Sequence, residues 1–262
     1  MKRNIFGAVV VLLSMTGVIC AQGGELSGTI DVTYTSAYMW RGINMYPGGH
    51  GEGAIQPSIT LDLYGTGLGL NVFWSRANTD RFENSEEIDT TVFYSTNLFE
   101  YETYATNCTV GWVYYDYPDM PSNRSDQQEA FASFSWPELC PEGFVPSYTI
   151  IHMWPSESKT IIQDISGWAH VFGIGYDLPV EGILPDVPEQ ILHLSMAVVY
   201  NEGMAAANVD HDWSHAVFGV TTDFDLGNDI ILTPGVFYQS SWEDSVNPSD
   251  ELWGSVSVKY SF

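Results

Sequence analysis

Few residues in this 262-residue chain are placed to do covalent chemistry, and the first to weigh are His193 and Ser195. Two apart on a strand, they share a face, where an oriented imidazole can take a proton from a hydroxyl. At a lipid boundary such a pair would hydrolyse an ester. Leu192, Leu194 and Met196 claim the apolar face, however, so His193 and Ser195 point the other way as polar lining. Asp210, His211 and Asp212 are possible metal donors that lack a further ligand group. No spacing matches a calcium loop, a zinc site or a glycine-rich phosphate loop, so neither metal nor cofactor is expected.

The other chemistry is electrostatic. Arg41 and Arg76 are conspicuous cations in a chain with 8 Lys and Arg against 33 Asp and Glu. Arg41 has two readings. It lines a charged constriction with Asp31, Asp62 or Asp89, or it pairs with one acidic neighbour and orders the loop that follows. Arg76 shares parity with Trp74 and is expected to reach toward lipid headgroups. Acid crowds the expected outer loops, at Asp80, Glu83, Glu86, Asp116, Asp119, Asp250 and Glu251 among others, and reads as a solvated face.

These residues need a frame, and the ends of the chain suggest one. Lys2 and Arg3 precede an apolar run from Ile5 to Met15, and small residues follow near Ala21, which is the pattern of an export signal over residues 1–21. Residues 22–262 then form one domain. Losing Lys2 and Arg3 leaves six basic residues against 33 acidic ones, a net charge near −27. Such a balance excludes nucleic acid as a partner. Aromatics at 14% of the chain exclude an acidic disordered tail and need burial or a lipid interface. Beyond residue 21 no stretch approaches the roughly 20 apolar residues of a spanning helix, so a membrane passage must be a closed barrel.

At the other end Val256, Val258, Tyr260 and Phe262 alternate with Ser255, Ser257, Lys259 and Ser261. The terminal pair Tyr260 and Phe262 resembles the signal by which the barrel-assembly machinery recognises its clients. Alternation recurs along the chain. One segment runs Thr29–Arg41, with Ile30, Val32, Tyr34, Tyr38 and Trp40 outward. Others carry Ile59, Val72, Val92 and Val110, and the rest centre near Ala132, Ile150, Phe172, Met196, Phe218, Leu232 and Val258. The count is about 12 strands. Short connections at 65–67, 97–102 and 225–228 alternate with longer polar ones, as turns and outer loops do in barrels. Two connections, 137–145 and 178–189, are longer than that rule expects. Cys108 falls mid-strand and Cys140 in a turn, which leaves a bridge between them open.

The run Tyr34–Ile43, with Ser36, Tyr38, Trp40, Arg41 and Gly42, resembles the opening strand of a family of outer-membrane proteins called TorF-type porins. That resemblance extends through the second strand and its glycine turn over 56–69, and implies an envelope location rather than any particular solute.

The expectation is therefore an all-β, antiparallel transmembrane β-barrel in the bacterial outer membrane. Its surroundings would be the lipid bilayer and lipopolysaccharide, and it would act as a porin-like channel for small cationic or neutral solutes. Pore candidates are Asp31, Arg41, Asp62, Asp89 and His193, and the insertion signal is Tyr260 with Phe262. The alternatives are a non-conducting structural or adhesive barrel and a lipid esterase.

Overall fold

Alternating apolar and polar residues can bury one face only if the sheet they form has somewhere to put the other. A sheet in lipid must also leave no edge unpaired. The computed structural model solves both problems by closing on itself. It describes residues 24–48, 53–157, 165–182, 188–206, 209 and 212–262; the expected export segment 1–21 lies outside them.

The chain begins with β1 (Ser27–Thr35), then turns into a small hairpin, β2 (Met39–Trp40) and β3 (Ile43–Asn44). It returns to the wall as β4 (Ala54–Asp62), β5 (Leu68–Ala77), β6 (Glu87–Leu98) and β7 (Thr106–Asp116). β8 (Gln127–Ser135), β9 (Phe144–Pro155), β10 (Gly167–Glu181) and β11 (Glu189–Glu202) follow. The last strands are β12 (Asp212–Thr222), β13 (Phe224–Gly227), β14 (Ile230–Ser241) and β15 (Glu251–Ser261). β1 pairs with β4 on one side and β15 on the other, and every wall pairing is antiparallel. β12 meets β14 from His215↔Ser241 to Thr221↔Gly235, and β13 continues that register at Phe224↔Leu232. β12 and β13 are thus one wall strand broken at Asp223, and the ring has twelve strands.

The faces follow parity. Ile30, Val32, Ile59, Val110, Phe172, Met196, Phe218, Val236, Val256 and Val258 are exposed outward, as an apolar belt must be when lipid is its solvent. Aromatics gather at both rims, with Tyr34, Trp168, Trp213 and Tyr238 at one and Tyr94, Phe144, Tyr260 and Phe262 at the other. Tyr260 and Phe262 stack at 6.2 Å, and the Phe262 backbone exchanges two hydrogen bonds with Gly28 at the seam. Short turns and both ends of the wall share this second rim, the periplasmic one in outer-membrane barrels.

Two sequence expectations change. The first strand does not run to Arg41: pairing with both neighbours ends at Thr35, whose hydroxyl donates to the Ala37 carbonyl, and the chain folds inward. Tyr38 and Trp40 therefore leave the outer belt, and Tyr38 is buried. The connection expected over 178–189 is shorter than that and lies between Glu181 and Glu189, because β10 and β11 stay paired from Leu178↔Leu192 to Glu181↔Glu189. The turn at 136–143 does remain long. Cys108 and Cys140 are both free thiols.

The inward face solves a packing problem of its own. Inward phenylalanines lie flat over inward glycines on adjacent strands. A Cβ on Gly69 would stand 2.1 Å from Phe93, one on Gly111 2.5 Å from Phe131, and one on Gly219 2.8 Å from Phe237. Each large ring thus hugs the wall instead of projecting across the bore.

Facing can be tested on β11. Met196 lies outward beside Ile174 and Phe218, whereas Ser195 faces inward against Gly219. Met196→Arg should destabilise the barrel by about 2–4 kcal/mol in denaturant unfolding from lipid vesicles, and Ser195→Arg by much less. The reverse order would mean that this strand is misregistered by one residue.

Candidate functional site

A twelve-stranded ring is wider than the small barrels whose side chains fill the interior. Something else must occupy the bore here, or water must. At the loop rim it is the first loop, which dips into the lumen as the β2–β3 hairpin. Met39 pairs with Asn44 and Trp40 with Ile43. Arg41 and Gly42 form the tip with φ of 51° and 89°, the twist that a two-residue hairpin turn requires at both positions. Glycine takes that conformation freely. Arginine does not, so contacts must hold it there.

Those contacts are electrostatic and reach opposite walls. Arg41 Nη2 donates to Glu129 Oε1 on β8 at 2.5 Å, and the Glu129 side chain is wholly buried. The second Glu129 oxygen accepts the Tyr115 hydroxyl at 2.9 Å, and the Tyr115 ring meets Trp40 edge-on at 5.6 Å. Across the ring, Asn44 Nδ2 donates to Glu251 Oε1 on β15 at 3.3 Å. Gln239 Nε2 on β14 donates to the Gly42 carbonyl at 2.7 Å. β8 and β15 stand six strands apart in a ring of twelve, so the hairpin is pinned on both sides of the bore. The base of the loop is held as well: the Tyr46 hydroxyl reaches the Ser85 carbonyl at 3.1 Å, and its ring packs on Phe82 from the second loop.

Behind Arg41 lies more acid than it can neutralise. Glu87 and Asp89 on β6 are buried in the same region, and Glu87 Oε1 accepts the Tyr117 hydroxyl at 3.2 Å. Burial and then the charges of Glu87 and Asp89 push the Tyr38 hydroxyl well above its usual range, so it stays neutral. Beneath the hairpin the bore opens into two cavities of about 400 and 380 Å³, with Arg41, Asn71, Thr91 and Val113 lining both.

The sequence candidates are scattered along this path. Arg41 and Asp89 both line the smaller cavity under the hairpin. Asp31 lies in the turn-side half, accepting the Thr33 hydroxyl at 2.7 Å and the Ser257 hydroxyl. Asp62 sits at the turn rim, where its carboxylate accepts the Gly65 N–H at 2.6 Å. His193 faces inward with Nδ1 2.7 Å from Asp177 Oδ1 and Nε2 3.9 Å from Asp223 Oδ2. Both imidazole nitrogens thus face carboxylates, and Ser195 instead lies against Gly219. Arg76 pairs with Glu86 at 3.3 Å on the outer rim. Asp210 and His211 lie outside the described residues. Sequence reasoning missed Glu87, Glu129, His215 and Gln239. All four share the inward parity of their strands, where most neighbours are small or hydroxylated, and that contrast was available.

The fold is similar to those of solved outer-membrane porins and channels. The chain aligns with the KdgM porin, whose structure is described as a complex with disordered oligogalacturonate, at a TM-score of 0.52 and 10% identity over 90% of this chain and 99% of that one. The NanC porin gives a TM-score of 0.53 at 10% identity, over 89% and 98%. An outer membrane channel from Pseudomonas putida F1 gives 0.50 at 13% identity, over 94% and 100%. No family model matches the chain. No curated protein matches it either.

The hairpin's seating can be tested at its tip. A Cβ on Gly42 would stand 2.4 Å from His215 Cε1, and the left-handed φ adds strain. Gly42→Ala should displace the hairpin and make residues 36–48 sensitive to added protease in an otherwise folded barrel. His215→Ala in the same chain removes the clash and should restore much of the resistance. Unchanged protection in Gly42→Ala would show that the tip is not seated there.

Proposed function

We propose that this chain is a porin-like channel of the bacterial outer membrane that passes small cationic or neutral solutes, with its first loop as the constriction. The observation that carries the reading is the closed twelve-stranded wall around a polar, net acidic bore. Along that bore Asp31, Glu87, Asp89, Glu129, Asp177 and Asp223 face only Arg41 and Lys259 as fixed cations among the described residues. Hydroxyl pairs complete the lining, such as Ser133 with Thr149 at 2.7 Å and Ser95 with Thr109 at 2.9 Å.

Fixed negative charge beside a narrow path raises the local cation concentration and repels anions. A polyanion such as the oligogalacturonate of the KdgM complex is therefore a poor candidate for this bore. The TorF-type likeness of residues 34–43 supports an envelope setting, with export by the N-terminal signal and insertion by the barrel-assembly machinery through Tyr260 and Phe262. Lipopolysaccharide would then surround the loop rim. The inward placement of His193 and Ser195 supports a channel over a lipid-cleaving enzyme.

One observation favours the second reading, a non-conducting structural barrel: the hairpin is pinned to opposite walls. Planar-bilayer recording separates the two. Under a low-ionic-strength salt gradient the reversal potential should carry the sign of cation selectivity. Asp31→Asn combined with Asp177→Asn should reduce it, and raising the salt should shrink it as the screening length falls. Anion selectivity would contradict the assignment, and silence would favour the structural barrel.

A further inference from the structure

The larger cavity under the hairpin, about 400 Å³, has the size of a small-molecule site, and its lining says what fits it. Ions are poorly served there. The Arg41 guanidinium, 31% exposed, lines the space and repels a cation. Glu129 neutralises that guanidinium at 2.5 Å, and Glu87 and Asp89 add buried acid in the same region, so an anion gains nothing either.

The rest of the lining is hydroxyl, amide and one aromatic ring. Ser133 and Thr149 share one hydrogen bond at 2.7 Å, which spends one of their hydroxyl protons and leaves the other, with spare lone pairs. Thr91 adds a further hydroxyl. Asn71 donates to Thr60 Oγ1 at 2.8 Å and to the Ile59 carbonyl at 3.3 Å, so its oxygen remains to accept. Beside these groups Phe131 lies over Gly111, where a Cβ would stand 2.5 Å from the ring, and its other side lines the cavity. A phenyl face carries partial negative charge and attracts polarised C–H groups. The ligand that suits this lining is neutral, with hydroxyls round its edge and C–H bonds across its face. A pyranose ring has that form.

We propose that this cavity is a binding site for a neutral sugar, with the C–H face of one ring stacked on Phe131. Its edge hydroxyls exchange hydrogen bonds with Ser133, Thr149, Thr91 and the Asn71 oxygen. The inference names a solute class for the channel and rests on that reading, because the bore is the route by which a sugar reaches the cavity.

Saturation-transfer NMR on the refolded full-length barrel, in a detergent without a sugar headgroup, tests the site with no current being measured. Methyl β-glucoside should bind saturably, with the strongest transfer to the axial protons of one ring face. Sorbitol, which has the hydroxyls without the ring, should bind at least about fivefold more weakly, and so should glucuronate and protonated glucosamine. Phe131→Leu should weaken glucoside binding at least about fivefold and abolish the one-face pattern. Thr149→Val, which keeps the side-chain shape, should weaken it about threefold for the lost hydrogen bond. Both barrels should stay heat-modifiable on gels, and Glu138→Gln, in an exposed turn, should bind like the parent. Equal affinity of the parent for sorbitol or glucuronate overturns the proposal without any variant, and so does unchanged binding in a folded Phe131→Leu or Thr149→Val barrel. A barrel that conducts but binds no glucoside overturns the site and leaves the channel reading, whereas one that binds glucoside but passes no current does the reverse.

Discussion

The loop end of this barrel depends on one guanidinium reaching one carboxylate. Glu129 is buried inside the wall and needs a cation or a proton, and Arg41 brings the cation on a hairpin tip whose backbone is strained for arginine. Leaving one member of a buried pair alone costs about 3–5 kcal/mol, more than a left-handed residue costs. The strain is therefore tolerated and the loop is drawn inward. Tyr115, Trp40, Gln239 and Glu251 then hold what the ion pair places.

The turn end obeys a different constraint, which is to keep a lumen open while lining it. Glycine opposite phenylalanine lets large residues lie against the wall, and serine–threonine pairs satisfy one another across strands. Charge at that end is mostly negative, with Asp31, Asp177 and Asp223 against Lys259. The two halves thus differ: a wide polar lumen at the turn end and a throat narrowed by the hairpin at the loop end.

Most of the wall was legible in the sequence because the physics of a strand in lipid is simple. Each alternate residue must be apolar, and Val256, Val258, Met196 and Ile59 all fall where parity puts them. The inserted hairpin was not legible. Alternation continues through Tyr38 and Trp40, and a period of two cannot tell a strand facing lipid from a hairpin buried in the bore. The two weakest alternating stretches, near Ala132 and Ile150, are wall strands whose pattern is blurred by Phe131, Glu129 and His152, residues fitted to neighbours on the same face. Arg41 pairs with Glu129, a residue the sequence reading did not name, rather than with Asp31, Asp62 or Asp89, and the loop it orders is the β2–β3 hairpin.

The central claim is that residues 39–44 set the bore. Single-channel conductance of the parent barrel should be compared with that of a variant in which Met39–Asn44 is replaced by two glycines, with folding verified by heat-modifiability. The account predicts a severalfold rise in conductance together with weaker ion selectivity. Equal conductance from a correctly folded variant would contradict it.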